Sequence, residues 1–256
     1  MQMRGRKSIQ TVGLFSTLLL CATSILSVRA QTSQASPVSA TDTDVSKALE
    51  DLRRGDVGPW DIEQIAKNSA KQAIPDLEKQ FDVAPDKLLK GKIAGALVRL
   101  GDVNPKYWNF LTQGALDAIA SDIPLQTVVA QSREGAPEPP APLAAWAKAH
   151  NMSIDAALQL AMIDLPYKIS FLGLSNDARA VPLLRQALTS QDVFVVVFAA
   201  DGLAAMNDKA SIASIVDACR RLPPNAASAV ASSLEAWNDP TAKKAAKSFR
   251  TGSQAK

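Results

Sequence analysis

Residues 192–208, DVFVVVFAADGLAAMND, decide how this chain folds. They begin with six bulky apolar residues, from Val193 to Phe198, and β-branched and aromatic side chains in an unbroken run favour a β-strand. The segment then continues through an Ala-rich stretch to Met206, which favours a helix over a strand that ends at Phe198. The choice therefore depends on whether this segment belongs to a larger pattern.

The dipeptide Asn-Asp that ends this segment recurs at intervals of 31 residues. The copies are Asn176-Asp177, Asn207-Asp208 and Asn238-Asp239. Each copy ends one Ala- and Leu-rich segment and opens another, and LGD at residues 100–102 has the same form. Asn and Gly tolerate the left-handed conformation at a helix C-terminus, and Asp can cap the next helix. The repeat therefore predicts pairs of helices joined by a turn, each burying its apolar stripe against its neighbours.

The segments NDARAVPLLRQAL and DGLAAMND resemble HEAT-like repeats of the short bacterial type that is named after phycobilisome lyases. The resemblance covers residues 176–250 and, through AIPDL and ALVRLGD, residues 73–103. It implies an all-α protein, an α-solenoid of stacked antiparallel helix pairs that usually holds another protein. Residues 192–206 would then occupy a second-helix position, and we expect tertiary context to override their β propensity.

The first thirty residues have the three parts of a secretory signal. These are a basic start at residues 4–7, an apolar stretch at residues 12–26 and the cleavage pattern VRA at residues 28–30. We expect cleavage before Gln31 and export to the periplasm or the extracellular space, with no membrane insertion after cleavage. A transmembrane anchor and lipidation at Cys21 are the alternatives.

The leader also accounts for the positive charge of the chain. It holds four of the 28 basic residues and none of the 25 acidic ones, so the remainder has a formal charge of −1. A nearly neutral protein has no electrostatic footprint for nucleic acid. Cys219 is the sole cysteine after residue 30, which excludes an internal disulfide, and its apolar neighbours predict a buried side chain rather than a reactive thiol.

The remainder of the chain is expected to divide by composition. The predicted segments are a disordered spacer at 31–44, N-terminal helical repeats at 45–131, a Pro-rich loop at 132–142, C-terminal HEAT-like repeats at 143–250 and a disordered tail at 251–256. The Pro-rich segment SREGAPEPPAP excludes both a helix and a central strand. It is either a loop between two lobes of one solenoid or a linker between domains.

The sequence contains no set of residues that predicts catalysis, metal binding or cofactor binding. A catalytic triad needs a base, and the single histidine, His150, lies at an apparent helix end. The counts of Cys and His exclude a zinc site of the usual kind. The closest approach to a phosphate-binding loop, GKIAG at residues 91–95, lies inside a predicted helix.

The apolar run at the start of the decisive segment is the candidate binding surface. Aligning Leu97 with Leu203 places Val196 at the position of Lys90. The period of 31 residues places Phe194 at the position of Asn225 and Val197 at that of Ser228. Because these positions are polar in the sibling repeats, we expect Phe194, Val196 and Val197 to face outward and to form a partner-binding patch. The alternative is that irregular neighbouring segments cover them.

These observations predict an exported scaffold or adaptor that binds a protein partner and has no catalytic activity. The identity of the partner does not follow from the sequence. An enzyme on a HEAT-like scaffold, either lyase-like or a carboxylate-dependent hydrolase, is one alternative, and a structural component of the cell envelope is another.

Overall fold

The structure is a computed structural model that describes residues 42–121, 123, 141–235 and 237–254, and it is all-α over these residues. The helices are α1 Asp42–Arg54, α2 Pro59–Lys67, α3 Ile74–Val83, α4 Lys87–Leu100, α5 Pro105–Ala120, α6 Ala141–Ala149, α7 Ile154–Gln159, α8 Leu165–Leu174, α9 Val181–Ala187, α10 Val193–Ala205, α11 Ile212–Arg221, α12 Pro224–Leu234 and α13 Pro240–Gln254. A π-helical turn joins α7 to α8. In this part of the chain we find no helix with the length and apolar character needed to cross a bilayer.

The turn chemistry that the repeat predicts is present in part: Asn238 does not have a positive φ angle, and Asp208 makes no side-chain cap hydrogen bond. Asn176 and Asn207 have positive φ angles of 50° and 53°, and Gly101 ends α4 in the left-handed region with a φ of 94°. The carboxylate of Asp177 then accepts a hydrogen bond of 2.8 Å from the backbone N–H of Arg179. Asp239 likewise caps α13 through the backbone N–H of Thr241, at 2.8 Å. The caps of Asp177 and Asp239 therefore satisfy backbone N–H groups that a helix start leaves unpaired.

Five of the described helices form a series in which each contacts the next. Helix α2 contacts α4, α4 contacts α8, α8 contacts α10 and α10 contacts α12. The intervening helices pack beside this series, with α3 and α5 on α4, α5 and α9 on each other, and α11 on α12. The core runs through these contacts and consists mainly of Ala, Leu, Ile and Val side chains.

Glycines allow α4, α8 and α10 to approach closely. A methyl group added at Gly95 of α4 would lie 2.7 Å from the backbone oxygen of Phe171 in α8, and one at Gly91 would lie 2.2 Å from the Phe171 ring. Gly173 of α8 and Gly202 of α10 face each other in the same way, with an added methyl group 3.0 Å from the opposite Cα. The residues GKIAG at 91–95 thus serve helix packing.

Arginine side chains cap helix ends from a neighbouring element. Arg99 Nε donates to the carbonyl oxygen of Ala66, in the last turn of α2, at 3.1 Å. Arg221 donates from the end of α11 to the carbonyl oxygen of Leu188, just after α9. Each bond joins a helix end to an arginine of a neighbouring element, and the Ala66 oxygen also accepts a hydrogen bond of 3.2 Å from the backbone N–H of Ser69.

Three predicted segment boundaries differ from the structure. Helix α1 begins at Asp42, inside the predicted spacer at 31–44, and α13 continues to Gln254, inside the predicted tail. Helix α6 begins at Ala141, within the last residues of the predicted Pro-rich loop, because a proline in the first turn of a helix sacrifices no hydrogen bond. Residues 1–41, which include the predicted signal, and the rest of the Pro-rich segment, 132–140, lie outside the described residues.

Candidate ligand-binding cleft

The decisive segment is a helix, but its valines do not form an exposed patch. Helix α10 runs from Val193 to Ala205. Val196 is 0% exposed and Val197 is 6% exposed, while Phe194 is half-buried. Because α10 packs against α8, α9 and α12, nearly every face of it is covered. The expectation that Val196 and Val197 face outward is therefore wrong.

The alignment with the other repeats predicted exposed valines because it assumed that a polar residue marks an exposed position. A polar side chain can also occupy a covered position. Lys92 lies in α4 at the position that Phe198 occupies in α10, and its side chain is only 18% exposed. Its ammonium group pairs with Glu63 at 2.9 Å. Burial opposes ionisation of Glu63, but hydrogen bonds from Lys67 and Lys92 outweigh it and hold the pKa of Glu63 below its ordinary value. Long basic side chains commonly bury their stems in this way.

His150 and Cys219 have the surroundings of structural residues. His150 is exposed in the turn after α6, where its ring stacks on Trp146 with centroids 3.9 Å apart. Cys219 is buried, and burial raises the pKa of its thiol to about 12, so it stays protonated at neutral pH. Over the described ranges, no group of three or more His, Cys, Asp or Glu side chains could hold a metal ion.

Asp192 is the most strongly perturbed acid among the described residues. It caps α10, and its Oδ1 accepts hydrogen bonds from the backbone N–H groups of Phe194, at 2.8 Å, and Val195, at 3.2 Å. Burial nevertheless raises the pKa of Asp192 to about 7, because its other oxygen is buried without a partner. The folded chain therefore holds this proton up to about pH 7, whereas the unfolded chain releases it near pH 4.

This difference predicts a pH-dependent stability. The folded state binds the additional proton between about pH 4 and pH 7, so the contribution of Asp192 to stability falls as the pH rises through that window. Asp192→Asn keeps the cap and removes the charge. We expect it to raise the free energy of unfolding by about 1–2 kcal/mol at pH 8 and to change it little at pH 4. Urea titrations of both proteins at the two pH values measure this.

Asp177→Asn is the matched control, because it changes a capping carboxylate of the opposite kind. A side-chain hydrogen bond from Arg179 holds the pKa of Asp177 below its ordinary value, so its contribution is present above pH 4 and is lost on acidification. This variant should therefore be less stable than the wild type at pH 8. If Asp192→Asn behaved in the same way, the Asp192 carboxylate would be stabilising in its charged form, and burial would not raise its pKa.

A surface cleft of about 520 Å³ lies where three helices meet. Helix α3 ends at Val83, a short connection through Pro85 follows, and α4 begins at Lys87 under the cap of Asp86. The start of α5, which Asn104 caps, completes the cleft. The lining residues are Phe81, Ala84, Pro85, Lys87, Lys90, Lys106 and Phe110.

Two phenylalanines provide the apolar surface of this cleft. Phe81 is 2% exposed. The Tyr107 ring packs edge-on against the Phe81 ring, and the two ring centroids are 4.9 Å apart. Phe110 meets the Phe81 ring at 85° and 5.5 Å, yet it remains 36% exposed. Edge-to-face pairs of this geometry are favourable and fix the ring orientations. Phe110 is thus a positioned aromatic ring with an accessible surface.

Lysines surround the aromatic rings. Lys90 Nζ lies 4.8 Å and Lys106 Nζ lies 4.9 Å from the centroid of the Phe81 ring, which is within the range of a cation–π interaction. Lys106 also pairs with Asp82. Lys87 and Lys90 form no ion pair with another described residue. The cleft therefore combines exposed aromatic surface with positive charge, which suits a ligand that is apolar in one part and anionic in another.

Sequence reasoning missed this cleft, and the reason is geometric. Its residues come from the end of one helix and the starts of two others, and no spacing rule connects them. The available signal was the local pattern FDVAPDKLLK at residues 81–90, in which an aromatic residue and a proline stand beside two lysines at a helix boundary. That pattern by itself predicts only a helix start.

Comparisons of the chain with protein-family models, with curated proteins and with solved structures found no match.

Proposed function

We propose that this chain is an exported adaptor that binds a protein partner without catalysing a reaction, and that the cleft between α3, α4 and α5 is its contact site. The function is the one that the sequence predicts, but the contact site is Phe110 with its neighbouring lysines and not the valines of α10. Export rests on the secretory pattern of residues 1–30.

We further propose that the scaffold is an α-solenoid of HEAT-like helix pairs. Two observations support this arrangement: the left-handed turns at Asn176 and Asn207 recur with the sequence period, and the helices α2, α4, α8, α10 and α12 pack in succession. Stacked repeats of this kind bury their apolar stripes against each other and leave their surfaces available for binding.

The observation that carries the proposed function is the exposed phenylalanine in a preformed cleft that three lysines line. Exposed aromatic rings beside basic groups are typical of protein contact sites, because aromatic side chains supply a large buried area at low entropic cost. The volume of about 520 Å³ lies within the range of ligand-binding sites. Phe110 is positioned by Phe81 before any partner arrives, which reduces the entropic cost of binding.

Removing the Phe110 ring is expected to abolish partner capture. In a crosslinking capture from the exported fraction of the producing cell, Phe110→Ser should lose the protein that the wild type retains, because the apolar anchor is gone. Burial of one such ring contributes about 1.5–3 kcal/mol, which is a tenfold or larger loss of affinity.

Leu116→Ser is the matched control for this experiment. Leu116 lies on the same helix and is 43% exposed, but it does not line the cleft. Circular dichroism should show equal helicity for both variants. Equal capture by Phe110→Ser and the wild type would reject the cleft as the contact site.

A further inference from the structure

The charges and rings of the cleft determine what kind of partner segment fits it. We infer that the cleft binds an acidic peptide segment that carries an aromatic side chain, and that Asp82 competes with this peptide for Lys106. The inference rests on the proposed function, since it specifies the partner chemistry of the same site.

The positive charge of the cleft selects for an acidic ligand. Lys87 is exposed and Lys90 is half-buried, and neither ammonium group is paired with a described carboxylate. Asp86 is close in sequence, but its carboxylate oxygens accept hydrogen bonds from the backbone N–H groups of Leu88, at 3.1 Å, and Leu89, at 3.0 Å. An incoming carboxylate can therefore pair with Lys87 or Lys90 without displacing an ion pair between described residues.

The aromatic preference follows from Phe110. This ring already packs edge-on against Phe81 and exposes its remaining surface to the cleft. A ligand ring that enters beside it gains a second aromatic contact in addition to buried area. The cation–π contacts of Lys90 and Lys106 with Phe81 hold two ammonium groups next to that position, so ring and carboxylate are recognised together.

The surface around the cleft favours a peptide over a small free acid. Val83, at the end of α3, is 64% exposed and directly precedes the lining residue Ala84. Val103, just before α5, is 94% exposed. Val83 therefore offers an apolar contact for a residue next to the anchoring ring, which a single aromatic acid does not provide.

Asp82 is the element that limits affinity. Its carboxylate pairs with Lys106, whose ammonium group also lies over Phe81. The Lys106 and Asp82 side chains are 45% and 61% exposed, so the pair is weak and a ligand carboxylate can exchange with it. Asp82 thus reduces the net charge that the cleft offers to an acidic peptide.

Fluorescence anisotropy of the full chain with a labelled short peptide, in which glutamates flank a central phenylalanine, tests the inference. Lys90→Glu should weaken binding about tenfold, because it removes one attraction and adds one repulsion. Asp82→Asn should strengthen binding about threefold by releasing Lys106, and a gain of affinity cannot arise from misfolding. The matched control is Lys209→Glu, an exposed lysine outside the cleft, which should bind as the wild type does.

Changes in the peptide provide the second arm. Replacing its glutamates by glutamines should weaken binding about tenfold, and so should replacing its phenylalanine by serine. Added salt should weaken the binding of the acidic peptide and leave that of the glutamine peptide unchanged. Equal binding of the acidic and the neutral peptide would overturn the inference, as would weaker binding by Asp82→Asn. Displacement of the peptide by an equal concentration of phenylpropionate would overturn the preference for a peptide.

This experiment and the capture experiment can fail separately. Capture that depends on Phe110, combined with no preference for the acidic peptide, would leave the proposed function in place and reject the inferred partner chemistry. Capture that is independent of Phe110 would reject the contact site itself.

Discussion

Val196→Lys is expected to lower the free energy of unfolding by about 5 kcal/mol and to leave little folded protein at room temperature. Val196 is 0% exposed in α10, and α8, α9 and α12 surround that helix. A lysine at this position must either bury its ammonium group or lose its proton, and both are costly. Far-ultraviolet circular dichroism and thermal melting measure the loss.

Ala205→Lys is the matched control on the same helix. Ala205 is exposed and is the last residue of α10, where a positive charge interacts favourably with the helix dipole. We expect a change within about 0.5 kcal/mol of the wild type. A cooperative melt at the wild-type temperature for Val196→Lys would place this side chain on the surface and would restore the exposed patch that the sibling alignment predicts.

Gly95→Ala is expected to lower the free energy of unfolding by about 2–3 kcal/mol. The added methyl group would lie 2.7 Å from the backbone oxygen of Phe171, and a backbone atom in the middle of α8 cannot move aside as a side chain can. The helices must separate and lose contacts along their length, which outweighs the gain of about 1 kcal/mol in helix propensity. Urea unfolding monitored by circular dichroism measures the difference.

Gly114→Ala tests the same substitution where space is available. A methyl group at Gly114, in the middle of α5, would meet only the Lys168 side chain, at 3.4 Å. Helix propensity then dominates, and the variant should be more stable than the wild type by about 0.5–1 kcal/mol. Opposite signs for the two variants are expected. A stabilising effect of Gly95→Ala would mean that α4 and α8 are farther apart than the structure has them.

Sequence reasoning was most successful where the decisive interactions are local. Asn176 and Asn207 adopt the left-handed conformation predicted for them, because a short polar side chain tolerates positive φ and the position terminates a helix. The helix of residues 193–205 was also predicted, because the repeat places this segment in a helical position and the Ala-rich continuation agrees. The first prediction depends on residues within one turn of each other, whereas the second also uses the copies of the pattern at intervals of 31 residues.

Sequence reasoning failed at the orientation of α10 in the structure. The polar residues at equivalent positions of other repeats indicated a solvent-exposed face, but Lys92 shows that such a position can be covered when its ammonium group reaches Glu63. A polar residue indicates only that the polar end of its side chain can reach water or a polar partner. It does not indicate whether its Cβ is exposed or buried. The valines are consequently part of the core.

The sequence by itself predicted an all-α fold and the helix ends at Gly101, Asn176 and Asn207, because propensity and capping act over a few residues. The tertiary structure alone decided which faces are buried, that Gly91 and Gly95 serve the close approach of α4 and α8, and that Phe81, Lys90 and Phe110 line one cleft. These features require side chains from different helices to meet. Their distances are set by the packing of the whole helical array, which no local pattern encodes.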